Sequence, residues 1–497
     1  ANACSNADKW INGHIDETIK KEIIALRENN PEEFNDAFYR TLEFGTGGLR
    51  GIMGLGTNRM NFFTVSMTTQ GFCNYIRKNK PTGQIRCVIS HDSRNNSRDF
   101  AKTTARVMAA NGFEVFLFED LRPTPELSFA VRHLGCISGI VITASHNPAK
   151  YNGYKVYWED GAQVTPPHDT NIMDEVAKVT SFDQVKTMDK DAAIAAGLYN
   201  VISDEVEEGY FAELRKLSIH TEIIKEMAKD IKIVYTPLHG SGLRPVQRVL
   251  KDMGFENVII EPSQAIPDGN FPTCPYPNPE NPDAWELALK LAKEEDADIV
   301  LATDPDADRL GVYCKDTKSG EYVTFTGNMS AMLIGEYIFS QKSANGTLPE
   351  NPAFVESIVS TDMGKAIAAA YGAKHIEVLT GFKYIGEQML KFEKTGCNNY
   401  VFGMEESYGC LPGTYARDKD AVVSATMIVE MAAYYKSLGK NLYEVMEDIY
   451  AEHGMYMNTL LNFAFAGAEG MDKMKNIMAT LRENPPKEIA GMKVLEP

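Results

Sequence analysis

What most constrains this chain is a rhythm. Short apolar runs recur, each ending in a loop rich in hydroxyl, acidic or basic residues, with stretches of helical spacing between them. In the first part, residues 85–89, 115–118 and 139–142 read as buried strands, and a helix passes through Val107 and Ala110 to end near Gly112. The pattern restarts near Asp204, with helices over 205–217 and 222–229, a strand over 231–235, helices over 246–253 and 284–293, and a strand over 299–302. It restarts again near Tyr322, with helices over 329–339 and 365–371 and strands over 354–359, 376–379 and 400–402. Alternating strands and helices predict βαβ units around largely parallel sheets. The three rounds share little sequence identity. Their common order predicts an α/β protein of three similar mixed α/β domains around a central cleft, each offering a loop to it.

The domains are expected over 1–203, 204–320 and 321–455. A chain of 497 residues is too long for a single core. Ahead of the first strands, Ile15, Ile19, Ile23 and Leu26 recur at helical spacing, and this helix is expected to stop before Pro31. A stretch from Pro262 to Pro282, rich in proline and asparagine, reads as a long ordered loop or crossover. A helix is expected over 425–435. Residues 456–497 predict one strand, 459–465, and one helix, 471–482, too little to bury a core. That tail reads as an appendage or as the incomplete start of a fourth domain.

Composition narrows the function. With 44% hydrophobic and 24% charged residues the chain is of ordinary globular type. A net charge of −18 argues against nucleic acid as a partner, though not against a small anion held in a locally basic cleft. No apolar run has the length of a membrane span, so no membrane partner is expected. Eight cysteines without CxxC pairs read as reduced thiols of a cytoplasmic protein. The first residues carry no basic region followed by an apolar core, so no signal peptide is expected. Oligomeric state is not legible.

Several loops carry chemistry. Thr143-Ala144-Ser145-His146-Asn147-Pro148 follows the strand 139–142, and Pro148 ends it. Ser145 is thereby presented at a strand end, as a nucleophile or phosphate carrier or as an ordinary turn former. Asp304, Asp306 and Asp308 alternate after another strand. Three carboxylates so close repel one another, and oxygen-only ligands favour Mg²⁺, Mn²⁺ or Ca²⁺. An EF-hand is excluded, because Arg309 stands where its glycine belongs and Lys315 where its glutamate belongs.

Gly45-Thr46-Gly47-Gly48-Leu49-Arg50-Gly51 is glycine-rich but lacks the Lys-Ser/Thr of a Walker loop; Arg50 could meet a phosphate or be a solvated surface group. Glu405, Glu406 and Ser407 fit sugar hydroxyls, or a plain helix cap. Lys155, Lys383 and Lys419 are scattered basic groups, cleft or surface.

Taken together, Thr143–Pro148 with Asn152-Gly153-Tyr154-Lys155, Asp304-Pro305-Asp306-Ala307-Asp308-Arg309, and Gly403-Met404-Glu405-Glu406-Ser407 resemble the α-D-phosphohexomutases. The chain is most similar to their phosphoglucomutase/phosphomannomutase branch, which also includes phosphopentomutase-like members. The likeness runs from Thr46 to about Asp420. It implies a Mg²⁺-dependent enzyme interconverting hexose 1- and 6-phosphates, or ribose and deoxyribose phosphates, through a phosphoserine and a sugar 1,6-bisphosphate. By the resemblance, Ser145 carries the phosphoryl group, flanked by His146 and Lys155. Ser145, Asp304, Asp306 and Asp308 hold the metal. Arg309 contacts the transferring group, Glu405 and Ser407 grip sugar hydroxyls, and Arg50, Lys383 and Lys419 help place the substrate. The family's fourth domain carries a phosphate-binding Arg-Pro-Ser-Gly-Thr-Glu-Pro loop that this sequence does not contain. Two other functions fit parts of the pattern: a phosphatase using Asp304 and Asp306, and a sugar-bisphosphate-binding regulator without turnover.

Overall fold

The computed structural model describes residues 2–43, 48–465 and 467–495. The glycines Gly45 and Gly47 of the expected glycine-rich loop, with Thr46, lie outside the described residues. The chain divides into two compact units, Ala1–Tyr456 and Met457–Pro497.

Among the described residues, the larger unit contains three sheets built on one plan. In the first, the strands lie in the order Leu49–Ile52, Tyr151–Trp158, Ser138–Ile142, Arg86–His91, Glu114–Phe118 and Tyr199–Ile202. In the second the order is Tyr322–Phe325, Leu310–Lys315, Ile299–Thr303, Ile233–Thr236 and Val258–Ile260. In the third it is Lys374–Val378, Pro352–Ser357, Asn399–Glu405 and Gly409–Leu411.

Each sheet has a parallel core, as expected of βαβ units. Each also turns back on itself at the same place. Ser138–Ile142 pairs antiparallel with Tyr151–Trp158, Ile299–Thr303 with Leu310–Lys315, and Asn399–Glu405 with Gly409–Leu411. The connections between these partners are the serine loop, the aspartate loop and the Glu406–Ser407 loop. Each holds one residue in the left-handed region: Ser145 at φ 52°, Ala307 at φ 52° and Tyr408 at φ 64°. Side chains pay for that conformation, which recurs where surrounding structure dictates it. Topology thus exposes a repeat that sequence identity left hidden.

A single core cluster draws on all three sheets. At its heart is the helix Ala421–Ser437, buried along most of its length. Apolar on every face, it can sit only in an interior. Its start is fixed by Asp420, whose Oδ1 accepts from the amides of Val422 (2.8 Å) and Val423 (3.1 Å). The other carboxylate oxygen accepts from the hydroxyls of Tyr210 (2.7 Å) and Tyr415 (2.5 Å).

Near the start the expected helix is joined by two others. The expected helix forms over Glu17–Asn29, capped by Asp16. Pro31 does not merely end it. It occupies the first turn of a further helix, Pro31–Phe38, where its missing amide is not needed. The helix Asn2–Ile11 was not anticipated; its apolar face is short, and Ala3, Ala7 and Trp10 supply it.

In the smaller unit, the helix Gly467–Glu483 forms, together with a short hairpin of Glu488–Ile489 and Met492–Lys493. The strand expected over 459–465 does not. Those residues carry no ladder, and Leu460, Leu461 and Phe463 are exposed. A strand without a partner leaves its backbone groups to water and has nothing to hold it extended.

Burial pushes the Asp420 carboxyl up to about 6, against its hydrogen bonds with the two tyrosines and two amides. A raised acid withholds its charge in the native state while the unfolded chain ionises. Stability is therefore unaffected below the unfolded value, falls as pH rises through the interval to about 6, and stays lower above it, by about 3 kcal/mol. In Asp420→Asn, denaturant melts between pH 4 and 7 should lack that fall relative to the parent protein.

Candidate active site at the junction of three loops

The serine loop is built for rigidity. Ser145 is 3% exposed, and its amide donates to Thr143 Oγ1 at 2.8 Å. Thr143 Oγ1 in turn donates to Asp92 Oδ2 at 2.6 Å. Asp92 Oδ1 accepts from the Arg94 amide (2.9 Å) and Ser97 Oγ (2.7 Å). The buried Arg94 guanidinium then clamps the loop from behind. Nη1 donates to the carbonyls of Pro148 (3.0 Å) and Tyr151 (3.1 Å), and Nη2 to those of Ser145 (2.6 Å) and Asn147. These bonds hold Ser145 in its left-handed conformation.

Held this way, Ser145 Oγ donates to Asp304 Oδ2 at 3.0 Å, across a domain boundary, and lies 3.2 Å from His146 Nδ1. Asp304, Asp306 and Asp308 are all buried, and each offers an oxygen within 4.8 Å of the others. Asp304 Oδ1 accepts from the amides of Asp308 (3.2 Å) and Arg309 (3.1 Å), which folds the loop around it. Lys155 Nζ donates to Asp306 Oδ2 at 2.8 Å and lies 3.6 Å from Asp308. Lys419 Nζ lies 3.6 Å from Asp308, 3.4 Å from Glu405 and 3.7 Å from Asp418. Glu405 also accepts from the Gly381 amide at 2.9 Å.

Charge sets the protonation of this cluster. Burial, then Asp306 and Asp308, pushes the Asp304 carboxyl well up. Burial acts the same way on Asp306, but Lys155 overrides it and holds Asp306 below the ordinary range. Burial works against charged Lys155 and Lys419, yet the surrounding carboxylates hold both above the ordinary lysine value. Burial, followed by Arg309 and Arg50, pushes His146 down to about 2, so its ring is neutral.

The donor set fits a hard divalent cation. All candidate ligands are oxygens, and Oδ1 of Asp306 and of Asp308 are buried with no hydrogen-bond partner among the described residues. A buried acceptor left unpaired is costly, and a cation satisfies both at once.

The other expected residues fall in different places. Arg309 Nη1 donates to Glu280 Oε1 at 2.8 Å, with the guanidinium close to Asp308 and Asp304. Arg50 lies on the edge strand of the first sheet, donates to Asn147 Oδ1 at 3.1 Å, and feels the charge of all three aspartates. Ser407 is half-buried on its loop, and its side chain makes no hydrogen bond among the described residues. Glu406 accepts from Ser357 Oγ at 3.0 Å. Lys383 makes no hydrogen bond or ion pair with these groups among the described residues. It is buried with its ammonium 3.6 Å from Asp169, on the helix His168–Ala177 of the first domain.

Several residues of the site escaped the sequence reading. Asp92 and Arg94 sit after the strand Arg86–His91, and their place at a strand end was a usable signal. Thr124 gave none. It belongs to the first domain, yet its Oγ1 donates to Asp306 Oδ2 and its amide to the Asp306 carbonyl, each at 2.9 Å.

The fold and site define a class: a three-domain α/β protein in which equivalent strand ends place a serine, an acidic triad and Glu405 around one centre, with Lys419 reaching it from the segment after Leu411. The chain belongs to the α-D-phosphohexomutases, matching the phosphoglucomutase/phosphomannomutase α/β/α domains I, II and III over residues 41–183, 208–319 and 326–453. It is 35% identical over 488 residues to a phosphoglucomutase of Staphylococcus epidermidis, covering 98% of this chain and 86% of that one. The identity to a phosphoglucomutase of Staphylococcus aureus is also 35%, over 495 residues, covering 99% and 86%. Among solved structures, it resembles parafusin, a Paramecium phosphoglucomutase in an open form, with a TM-score of 0.67 at 18% identity over 89% of this chain and 81% of that one. It also resembles a phosphoglucomutase/phosphomannomutase family protein of Burkholderia thailandensis, with a TM-score of 0.61 at 20% identity over 82% and 79%. No described helix is long and apolar enough to cross a membrane.

Arg94→Lys cannot bridge four carbonyls, and the unpaired buried acceptors should lower unfolding stability by about 3 kcal/mol in urea melts. Calorimetric titration should find one divalent-cation site, weakened more than about 100-fold in Asp306→Asn.

Proposed function

We propose that this chain is a hexose-phosphate mutase in which Ser145 carries the transferring phosphoryl group. The observation that supports this reading best is the 3.0 Å hydrogen bond from Ser145 Oγ to Asp304, made at the place where the three domain loops converge. Relatives at 35% identity are phosphoglucomutases, which favours glucose phosphates, with mannose phosphates next.

In this reading, phosphorylated Ser145 faces the free hydroxyl of a hexose 1-phosphate. The hydroxyl oxygen attacks phosphorus, the bond from phosphorus to Ser145 Oγ breaks, and a hexose 1,6-bisphosphate results. The bisphosphate turns round. Ser145 Oγ then takes the other phosphoryl group, which releases hexose 6-phosphate and restores the phosphoserine. His146, with its ring neutral, lies beside the serine oxygen and is placed to receive and return the hydroxyl proton, while charged Lys155 sits on Asp306 at the same centre.

Asp304, Asp306 and Asp308, with an oxygen on Ser145, would hold Mg²⁺. When bound, the cation supplies positive charge at the transferring phosphoryl oxygens. Arg309 and Lys155 add fixed positive charge there, and Arg50 reaches the same region from the edge strand. Glu405, with Lys419 beside it and Ser407 two residues on, offers both acceptors and donors to sugar hydroxyls. The serine hydroxyl is a weak nucleophile, so alignment by the Arg94 clamp carries much of the rate.

A coupled assay on glucose 1-phosphate, mannose 1-phosphate and ribose 1-phosphate should show the hexose phosphates as substrates. Intact mass should gain one phosphate after incubation with glucose 1,6-bisphosphate, and Ser145→Ala should lose both the added mass and the interconversion. Interconversion by Ser145→Ala at the parent rate would overturn the assignment, as would a preference for ribose 1-phosphate for the hexose reading.

A further inference from the structure

The proline- and asparagine-rich segment 262–282 forms no strand, and only at Pro282 does a 3₁₀ turn begin. It is nonetheless well anchored. The His239 amide donates to the Gln264 carbonyl at 2.9 Å, and His239 bonds the Ile266 carbonyl (3.0 Å) and Thr273 Oγ1 (2.7 Å). Asn95 Nδ2 of the first domain donates to Asn270 Oδ1 at 2.8 Å.

This segment reaches the site at three separate points. The fully buried Phe271 ring lies 5.1 Å from the Arg94 guanidinium that clamps the serine loop. Tyr276 stands edge-on to His146, with ring centroids 6.0 Å apart. Glu280 Oε1 accepts from Arg309 Nη1 at 2.8 Å. A loop folded for its own reasons would not be expected to meet the neighbours of the transferring group three times over.

We propose that segment 262–282 is the positioning wall of the phosphoryl-transfer site, and that Glu280 is a positioning residue acting through Arg309. This rests on the reading of Ser145 as the phosphoryl carrier. The guanidinium of Arg309 faces two competing sets of carboxylates. It feels the charge of Asp308 and Asp304 in the triad, and Nη1 donates to Glu280 Oε1 at 2.8 Å. Glu280 is the side-chain acceptor it has among the described residues; Nε is buried without a partner, and Nη2 donates to none. Tethered by Nη1, the guanidinium keeps the N–H groups of Nε and Nη2 free, and a planar fork of that kind matches phosphoryl oxygens. Without the tether it is free to fold onto Asp308 and be lost to the phosphoryl group.

The test compares Glu280→Leu, which removes the acceptor, with Glu280→Gln, which keeps a neutral one. Each is dephosphorylated and mixed with glucose 1,6-bisphosphate, and the rate of mass gain at Ser145 is followed in a single turnover. Glu280→Leu should slow that step and kcat by about tenfold or more, with KM within about twofold of the parent. Glu280→Gln should recover part of the rate, and both should melt within a few degrees of the parent because Glu280 is partly exposed. Parent-like transfer in Glu280→Leu would overturn the proposal. So would slowing matched by an equal rise in KM or by lost thermal stability, or a failure of Glu280→Gln to recover anything. Ser145→Ala is run alongside, and interconversion persisting there would sink the serine reading, separately from Glu280.

Discussion

Much of this structure hangs on how the short loop 304–309 is gripped by its surroundings. From the first domain, the Thr124 amide donates to the Asp306 carbonyl; from the third, the Ala421 amide donates to the Ala307 carbonyl at 3.1 Å. At the loop's end the Leu310 amide donates to the Tyr408 carbonyl at 2.9 Å. Within its own domain, Ser241 donates twice to the Pro305 carbonyl, by amide and by hydroxyl, each at 2.8 Å. Gly240 lies so close that an added Cβ would stand 2.5 Å from Pro305 Cα. A loop of like charges has every reason to spread apart, and satisfying its main chain from all sides is what prevents it.

The same junction ties domain geometry to chemistry. Ser145 meets Asp304 only if the first two domains dock correctly, and Lys419 meets Asp308 only if the third does. Tyr157 OH donating to Asp418 Oδ2 at 2.5 Å, and the Arg417 amide donating to Ser128 Oγ at 2.8 Å, lock the first domain to the third beside that junction. Lys155 and Lys419 place internal positive charge among the carboxylates. Buried like charges are tolerated when cations and hydrogen bonds surround them.

Legibility in the sequence followed burial and locality. The strands that end in the serine, aspartate and glutamate loops were visible because short apolar runs must be covered on both faces in a parallel sheet. The apolar helix Ala421–Ser437 was visible for a similar reason. The helix before Pro31 stops where the sequence says it should, but that Pro31 also opens the next helix was not legible, since one residue type serves both ends of a helical pair. Arg94 lay in plain view, but a guanidinium that binds main-chain carbonyls leaves no motif. Lys383 looked like the other lysines, yet folding takes it to Asp169. The segment 459–465 had a strand's composition and no strand to pair with.

By itself, the sequence determined which residues stand at strand ends, and so which hydroxyl, carboxylates and lysines a shared centre could draw upon. It determined too that three carboxylates spaced two apart would need a cation or cationic side chains beside them. Only the tertiary structure decided which of those groups meet. It brought Thr124 to Asp306, Glu280 to Arg309 and Lys383 to Asp169, because contacts between domains, and between loops of one domain, depend on surfaces far apart in the chain. Periodicity reports the burial of a local element; it carries no information on which distant side chain arrives within hydrogen-bonding distance.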